Sequence, residues 1–587
     1  MVNNAAMTFP LGRNADLSPQ NWPSEERSHA EQSEMTPWPK EARSIEGKSG
    51  LVAATLSPIA VLSGVEALRH GGSASDAAAT VALTQIATAL GSYVSYAGTL
   101  QLLYYEARSG KVYSLNAGWN SYLGESEPRT IPVNDMGPLP FAVGATEGPE
   151  GRKTLVPGFM AGLEAMHQRF GELPFQALLQ PAIYYAENGV TISPMLASYF
   201  PNRGRYLSRT PDGQAFLNQA GGLSPKPGDV FIQKDLAETL RAVAELGSSY
   251  MYTGEWGQQF VTAVKREGGK ASLQDMQRYQ PTWEEPLNTS FLENTVFAPG
   301  TTSHGGYRLL EALNAAEVMH LDRIGPYYED PHAFRILSRI LRVTNYDLQP
   351  FTQLAQWKRQ RGLSLLPEDR LTKMHAKALA SALSEIPGQQ QARDTNHSDS
   401  IVVVDRFGNV AALVHTINTL PWGTTGIVVG GIPLSDAAGF QQSQLAAIAP
   451  GDRLPTGMSP SIVTRDGKPI LAIATVGSSL FPETARLLVG TLANHLDLHT
   501  AMSAPPLLLS WEPGTPGEQF LDRAVAVPEG AYTPQFLEQL RASGITVAQK
   551  SKREVFRGTA VLATLDPEQD IARSVETPGI CGFVGTP

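Results

Sequence analysis

Two hydroxyl residues frame a run of apolar and β-branched residues in the last third of the chain. Ser398 stands just before DSIVVVD, and Thr416 follows eighteen positions later, at the end of VAALVHT. A serine hydroxyl becomes a nucleophile when a neighbouring base takes its proton, and the α-amino group of the same residue is such a base once the chain is cut before it. The pKa of a free α-amine, about 7.7 to 8.0, is close to working pH. A cut between His397 and Ser398 would therefore give this stretch catalytic chemistry, although Ser-Asp-Ser before a strand is also an ordinary turn.

Other common catalytic and binding motifs are missing from the sequence. It contains no G-x-x-x-x-G-K-[ST], no H-E-x-x-H and no G-x-S-x-G. Cys581 is the only cysteine, so we expect neither an internal disulfide nor a thiolate metal cluster. Four of the eleven histidines are scattered through predicted helices, where a surface or core role is expected: His70, His167, His320 and His495. The sequence therefore predicts no cofactor and no metal.

Charge and hydropathy limit the partners of the chain. The formal net charge is -10, and no Lys/Arg-rich run offers a groove for nucleic acid, so we expect no nucleic-acid binding. No window approaches about eighteen uninterrupted apolar residues, and the start of the chain lacks the apolar core of a signal peptide. We therefore expect a cytoplasmic protein that does not engage a membrane.

The first part of the chain predicts an arm followed by two helices. Residues 1–45 are rich in Asn, Ser, Glu and Pro without an apolar period, which is typical of a mobile or surface-draped arm. Residues 57–72 have the apolar spacing of an amphipathic helix, and SASDAAATVALTQIATAL predicts a buried helix. The middle third is mostly helical, and a polar, glutamine-rich connection around 350–397 leads to the strand at Ile401.

Strand-like runs flank this helical part. They predict β-hairpins at 99–105 with 111–115, at 400–405 with 410–417, and within 461–475. Continuous apolar strands of this kind suit sheets that helices cover. The order of elements favours a layered α/β protein over a doubly wound one.

The chain resembles the γ-glutamyltranspeptidases, which are N-terminal nucleophile hydrolases, over nearly its whole length from about residue 50. The matching segments come in the family's order: GLVAATLSPIAVLSGVEALRHGGSASDAAAT, TLVPGFMAGLEAM, TTSHGG, VVVDRFGNVAALVHTINT, RLPTGMSPSIV and the glycine of TVGSS. Each motif is weak alone, but together in this order they are specific. The resemblance implies a four-layer αββα sandwich. It also implies that one precursor is cut between residues 397 and 398. The large-subunit portion, residues 46–397, and the small-subunit portion, residues 398–587, then stay together as a heterodimer within one domain.

The resemblance implies catalytic roles as well. The family's nucleophile is a threonine that opens T-T-H-x-S-V-V-D, and a T-x-N motif follows. Aligning VVVD without a gap puts Ser398 at the nucleophile, Thr416 at the second threonine and Asn418 at the asparagine. Backbone N–H groups of Gly477 and Ser478, where the family has P-G-G-S, would form the oxyanion hole. The alternative for VGSS is a plain strand-to-helix cap.

Thr395 is the rival nucleophile, because DTNHS echoes T-T-H. If Thr395 were the nucleophile, three more residues would lie between it and the strand. A shift of the alignment by an odd number of residues turns every side chain of the strand to the opposite face of the sheet. Ser398 is therefore preferred. Serine lacks one methyl group of threonine, and other N-terminal nucleophile hydrolases use serine.

The resemblance fails at the family's substrate pocket. The arginine that holds the substrate's α-carboxylate, in L-D-x-R-E, gives way to Gly118 and Trp119 in LNAGWNSY. The acidic pair that grips the α-amino group, in N-N-x-M-D-D-F, gives way to Ala438 and Gly439 in PLSDAAGF. A hydrogen bond to a charged group is worth roughly 1.5 to 3 kcal/mol, so glutathione is not the expected substrate. A shift of the loop that brings Asp436 to the acidic position is the alternative.

The resulting hypothesis is a self-processing amidohydrolase or acyltransferase that cleaves a small-molecule amide through an acyl-enzyme on Ser398. Its specificity is expected to differ from that for γ-glutamyl groups, with Trp119 and Trp422 lining a pocket for small or less polar acyl groups. A catalytically inactive relative that acts as a binding or scaffold protein is the alternative. Whether water or an amine accepts the acyl group, and whether processed pairs assemble further, stays open.

Overall fold

The helices and strands of the protein are those of a computed structural model of the chain. It describes residues 15–36, 42–133, 148–219, 221–345, 353–383, 398–476, 480–509, 525–545, 547–550, 559–576 and 582–587. The helices are α1 Ser24–Ser33, α2 Pro58–Arg69, α3 Ala74–Thr88, α4 Phe159–Phe170, α5 Phe175–Asn188, α6 Pro194–Tyr199, α7 Arg205–Leu207, α8 Pro211–Asn218, α9 Lys234–Leu246, α10 Ser249–Tyr252, α11 Glu255–Arg266, α12 Leu273–Arg278, α13 His304–Val318, α14 Pro331–Asn345, α15 Gln353–Gln360, α16 Pro367–Arg370, α17 Lys373–Leu383, α18 Ala437–Phe440, α19 Gln442–Leu445, α20 Leu480–Leu488, α21 Leu498–Ser503 and α22 Pro534–Ala542.

The strands form two large sheets and three small ones. They are β1 Arg43–Gly47, β2 Gly50–Ala54, β3 Thr99–Glu106, β4 Lys111–Ala117, β5 Val190–Thr191, β6 Val230–Phe231, β7 Thr282–Glu284, β8 Leu287–Phe291, β9 Asn294–Ala298, β10 Asp399–Asp405, β11 Val410–Thr416, β12 Val428–Val429, β13 Ile432–Pro433, β14 Ser461–Arg465, β15 Lys468–Thr475, β16 Leu508–Leu509, β17 Val525–Pro528, β18 Val547–Lys550, β19 Ala560–Asp566, β20 Ile571–Glu576 and β21 Phe583–Gly585. One seven-stranded sheet has the order β21-β2-β10-β11-β3-β4-β7, and the other has the order β1-β20-β19-β15-β14-β9-β8.

The two large sheets pack face to face, with helices on both outer faces. Strands β10 and β11 pack against β15, and the core between the sheets draws apolar side chains from both of them. Helices α2, α3 and α4 cover the outer face of the sheet that contains β10. Helices α13, α14 and α20 cover the outer face of the other sheet. The four-layer αββα sandwich implied by the resemblance is confirmed.

The predicted hairpins are present, and one of them sets the register of the site. Strand β3 pairs with β4, β10 with β11 and β14 with β15, all antiparallel. Between β10 and β11 the carboxylate of Asp405 accepts hydrogen bonds from the N–H groups of Phe407 and Asn409, at 2.8 and 3.0 Å. Gly408 supplies the positive φ of 81° that the turn needs.

The first part of the chain differs from its prediction. Residues 15–36 contain α1 and bury Leu17, Trp22 and Ala30, so this segment is draped over the helices rather than mobile. Residues 1–14 and 37–41 lie outside the described residues. Helix α2 is buried along its length rather than amphipathic, because α1 packs on it. Helix α3 is buried as predicted, and its N-terminus has a capping box between Ser73 and Asp76.

Among the helices of the described residues, every one is too short or too polar to cross a membrane.

Candidate active site

Ser398 and Thr416 meet at one edge of the sheet that contains β10 and β11. The antiparallel register pairs Asp399 with His415. Ser398 and Thr416 are the next residues outward, at the end of the two strands that is called the mouth of β10 below. The Ser398 hydroxyl donates a hydrogen bond of 2.8 Å to Thr416 Oγ1, and both residues are buried. The separation of eighteen residues along the chain thus becomes a direct contact.

Both hydroxyl residues lie on the side of the sheet that faces the second sheet. Side chains alternate along a strand, and residues of the same parity, such as Val402 and Val414, belong to the core between the sheets. His415 has the opposite parity and contacts the helical layer through the ring of Phe159. Burial lowers the pKa of His415 to about 3, so this imidazole stays neutral at physiological pH. It lies on the other face of the sheet from the two hydroxyls.

Asn418 is the third residue of this group. Its backbone N–H donates a hydrogen bond of 2.8 Å to Thr416 Oγ1, the same oxygen that accepts from Ser398. Its φ of 56° lies in the left-handed region, which asparagine tolerates better than most residues. Thr416 Oγ1 is therefore held from two sides and orients the Ser398 hydroxyl. The structure brings Ser398, Thr416 and Asn418 together.

The predicted oxyanion hole lies outside the described residues. Gly477 and Ser478 follow strand β15, which packs against β10 and β11 and ends at Thr475. His397, on the other side of the expected cut, and the rival Thr395 also lie outside the described residues. The roles of Gly477 and Ser478 stay predictions.

Asp399 points from β10 toward the helical layer, where it is fully buried. Its Oδ1 accepts a hydrogen bond of 2.8 Å from Thr55 Oγ1, which itself accepts one of 2.9 Å from the Ser400 N–H. Burial raises the pKa of Asp399 to about 8; the Thr55 hydrogen bond opposes this shift, and the charge of Glu34 adds to it. At neutral pH this carboxyl is mostly protonated.

Glu34 is a neighbour of the site that sequence reasoning missed. Its Oε1 accepts hydrogen bonds from Ser57 Oγ at 2.6 Å and from the Ile59 N–H at 3.2 Å. Burial raises the pKa of Glu34 to about 7. The residue belongs to the stretch expected to be a mobile arm, and no local pattern marks it. The signal in the sequence was the pair of large apolar residues upstream, Leu17 and Trp22, both of which are buried.

The two positions that lack the family's charged groups come together in an apolar cluster. Trp119 packs there with Ala437 and Ala438, and the cluster, called the apolar wall below, also contains Ile131, Leu155, Leu445 and Leu454. These side chains offer no charge to a carboxylate or an ammonium group. The indole Nε1 of Trp119 is buried without a hydrogen-bond acceptor among the described residues.

Gly118 is tightly enclosed. A Cβ atom at this position would lie 2.9 Å from Asn116 Oδ1 and 3.2 Å from Arg453 Cδ. Arg453 itself donates to the backbone carbonyls of Asn116 and Gln280, at 2.8 and 2.6 Å. The guanidinium of Arg453 is therefore used to join these loops.

Trp422 and Asp436, which the sequence offered as further residues of the substrate pocket, are both buried. Trp422 is only 1% exposed, packs with Phe200 and donates through Nε1 to the Leu90 carbonyl at 2.9 Å. The expectation that Trp422 lines the pocket is therefore wrong, since the ring belongs to an aromatic core. Asp436 is also fully buried, and its Oδ2 accepts from Thr424 Oγ1 at 2.8 Å.

No group of three or more His, Cys, Asp or Glu side chains in the described ranges is arranged to hold a metal ion.

An αββα sandwich of two face-to-face antiparallel sheets is the fold of the N-terminal nucleophile hydrolases. The family model for gamma-glutamyltranspeptidase matches residues 60–573, and the chain belongs to this family.

Relatives of the chain carry two kinds of names. The glutathione hydrolase proenzyme of Pseudomonas aeruginosa is 28% identical over 74% of this chain and 79% of its own length. The acylase ACY 1 proenzyme of Pseudomonas sp. (strain V22) is 26% identical over 64% of this chain and 66% of its own length. The crystal structure of cephalosporin acylase from Bacillus halodurans has the same fold, with a TM-score of 0.76 and 21% identity over 94% of this chain and 98% of that chain. The chain is an N-terminal nucleophile amidohydrolase or acyltransferase.

Proposed function

We propose that the chain is a self-processing enzyme whose nucleophile is the Ser398 hydroxyl. The observation that carries this proposal is the 2.8 Å hydrogen bond from Ser398 to Thr416 Oγ1 at the mouth of β10. Two of the relatives are named as proenzymes, which supports processing of a precursor.

The first step is cleavage of the chain. Ser398 Oγ attacks the carbonyl carbon of His397, its proton passes to the leaving amide nitrogen, and the peptide bond becomes an ester. Water then hydrolyses the ester and frees the α-amine of Ser398. The parts of the chain before and after this point each supply strands to both large sheets. The two fragments therefore stay together as a heterodimer that forms one domain.

The same hydroxyl then serves the substrate. The free α-amine accepts the Oγ proton as Ser398 attacks an amide carbonyl, and later gives it to the leaving amine. Thr416 and Asn418 orient the nucleophile, while the N–H groups of Gly477 and Ser478 stabilise the oxyanion. Water or a second amine takes the acyl group from the serine ester.

The preferred substrate is a small amide with a less polar acyl group than γ-glutamyl. Trp119 and Ala438 lie in the apolar wall, where the family resemblance places charged side chains. The buried Nε1 of Trp119 is a donor for one oxygen of the acyl group. The acylase among the relatives is compatible with this choice. The expected location in the cytoplasm remains a prediction.

The mass of the purified protein tests the processing. Wild type is expected to run as two fragments that join at 397/398, and Ser398→Ala as one chain of 63.2 kDa. An active wild-type protein that remains a single chain would contradict the proposal. A single chain that is also inactive on amides and acyl esters would favour a binding or scaffold protein.

A pair of chromogenic anilides tests the specificity. We expect a higher kcat/KM for butyryl p-nitroanilide than for γ-glutamyl p-nitroanilide, by at least about tenfold, since a lost charge-assisted contact is worth more than 1.4 kcal/mol. Glutaryl p-nitroanilide keeps a carboxylate but lacks the amine. Its kcat/KM therefore separates the effect of the missing contact to the carboxylate from that of the missing contact to the amine. A preference for the γ-glutamyl compound would contradict the apolar assignment.

A further inference from the structure

The segment of residues 15–36, called the N-terminal segment below, is docked on helices α2 and α5. The Leu17 N–H donates to Gln180 Oε1 at 2.6 Å, and the Trp22 ring packs on Tyr185. Arg69 of α2 forms an ion pair of 2.8 Å with Glu26. These contacts fix the end of α1, and with it the position of the residues that follow.

Glu34, at the end of this segment, reaches the connector of residues 55–57 between β2 and α2. Its carboxylate accepts from Ser57 Oγ, the N-cap of α2, and from the Ile59 N–H in the first turn. Both donors lie at the positive end of the helix, which favours a carboxylate there. Ser57 Oγ also lies 3.1 Å from Thr88 Oγ1 of α3.

The connector has a strained backbone. Leu56, a buried non-glycine residue, has a φ of 65°. A residue in this region costs of order 1 to 3 kcal/mol and persists when its surroundings hold it in place. Ser57 is held by Glu34 on one side of Leu56, and Thr55 is held by β10 on the other.

Thr55 connects the strained residue to the nucleophile. Its backbone N–H donates to the Ser400 carbonyl at 3.0 Å, and its hydroxyl accepts from the Ser400 N–H at 2.9 Å. The same hydroxyl donates to Asp399 at 2.8 Å. Thr55 therefore holds the two residues that directly follow Ser398. A path of hydrogen bonds and one strained residue runs from Glu34 to the start of β10.

We propose that Glu34 is a positioning residue for the nucleophile, acting through the connector and Thr55. The proposal rests on the assignment of Ser398 as nucleophile. Glu34 is one of several partners of Ser57, whose Oγ also accepts from the Ala60 N–H at 3.1 Å and whose N–H donates to the Thr55 carbonyl at 2.9 Å. Loss of the Glu34 acceptor loosens Ser57, so that Leu56 relaxes toward negative φ and Thr55 and the start of β10 shift with it. A displacement of the nucleophile by a fraction of an ångström affects the chemical step more than substrate binding.

Three substitutions of Glu34 separate the length of the side chain from its charge. Glu34→Ala removes the acceptor, and we expect kcat to fall at least about tenfold with KM within twofold. Glu34→Asp keeps the charge but withdraws the carboxylate by one methylene, so kcat should fall about fivefold. Glu34→Gln keeps both length and acceptor, and should stay within about threefold of wild type.

Glu31→Ala is the matched control on the same helix. Glu31 accepts from the Tyr185 hydroxyl at 3.1 Å, on the docking face and away from the connector. We expect its kcat to be unchanged. Equal losses in Glu31→Ala and Glu34→Ala would show that docking alone matters and would overturn the proposal.

The outcomes also separate this proposal from the assignment of the nucleophile. A wild-type protein cut at 397/398 and active, with kcat unchanged in Glu34→Ala and Glu34→Asp, overturns the role of Glu34 alone. A wild-type protein that is neither cut nor active overturns the role of Ser398. If Glu34→Ala yields no folded protein, the comparison of Glu34→Asp with Glu34→Gln decides, because the proposal requires the shorter side chain to be slower.

Discussion

The mouth of β10 and the apolar wall differ in what they keep of the family pattern. At the mouth, Ser398, Thr416 and Asn418 stand where the resemblance places the reacting group and its supports, and they share hydrogen bonds of 2.8 Å. At the apolar wall, Trp119 and Ala438 stand where it places charged groups. The mouth therefore has hydroxyl and amide groups at the positions that the family uses for chemistry, while the apolar wall has no charged side chain.

The largest expected effect comes from removing the nucleophile at the mouth. Ser398→Ala should lower amidase activity at least about 1000-fold, because no acyl-enzyme forms without the hydroxyl. Ser398→Thr is the matched control, since it restores the family's residue and should stay cut and active. Initial rates on the preferred anilide measure both. If Ser398→Ala kept its activity within tenfold of wild type, Ser398 could not be the nucleophile.

A charge placed in the apolar wall should destabilise the fold without improving γ-glutamyl turnover. Ala438→Asp buries a carboxylate beside Trp119 and Leu454 and should cost about 2 to 4 kcal/mol in unfolding free energy. Urea unfolding is measured in the uncut Ser398→Ala background, so that one chain is compared with one chain. An unchanged unfolding midpoint would contradict the burial of Ala438 in the apolar wall.

Loss of the Thr416 hydroxyl should lower activity less than loss of the Ser398 hydroxyl does. Thr416→Val removes the oxygen that holds Ser398 and the Asn418 N–H, and kcat should fall about 10- to 100-fold. Thr99→Val is the matched control, because Thr99 pairs with Thr416 across the strands but donates to the Ala117 carbonyl instead. The idea fails if both variants lose the same amount of activity.

The smallest expected effect is a pH dependence of stability that comes from Asp399, the residue after Ser398. Burial raises the folded pKa of Asp399 from its ordinary value to about 8, so stability present at low pH is lost as pH rises through this range. Asparagine does not titrate. Between pH 7 and 8.5, Asp399→Asn in the Ser398→Ala background should therefore gain about 1 to 2 kcal/mol relative to Ser398→Ala alone. Unfolding curves at the two pH values check this, and parallel curves would contradict a raised pKa.

The sequence predicted the elements around the mouth better than the contacts between distant segments. Continuous apolar runs and turn residues marked the hairpin from Asp399 to Thr416, and the two-residue period of a strand fixes which side chains share a face. The alanine-rich run after Ser73 likewise predicted the buried helix α3. These signals are local, so one chain without relatives is enough to interpret them.

The missed features depend on packing between segments far apart in the chain. Glu34 is placed by the docking of α1 on α2, and Trp422 is drawn into an aromatic core with Phe200. Polar composition around Glu34 indicated an arm, because a few apolar residues do not form a period. Burial of Leu17 against α5 decided otherwise.

The most direct test of the account is the N-terminal sequence of the smaller fragment in active wild-type protein. This fragment is expected to begin Ser-Asp-Ser, at residue 398, with a free α-amine. A fragment that begins at Thr395, or an active preparation without a smaller fragment, would contradict the assignment of Ser398 as the nucleophile.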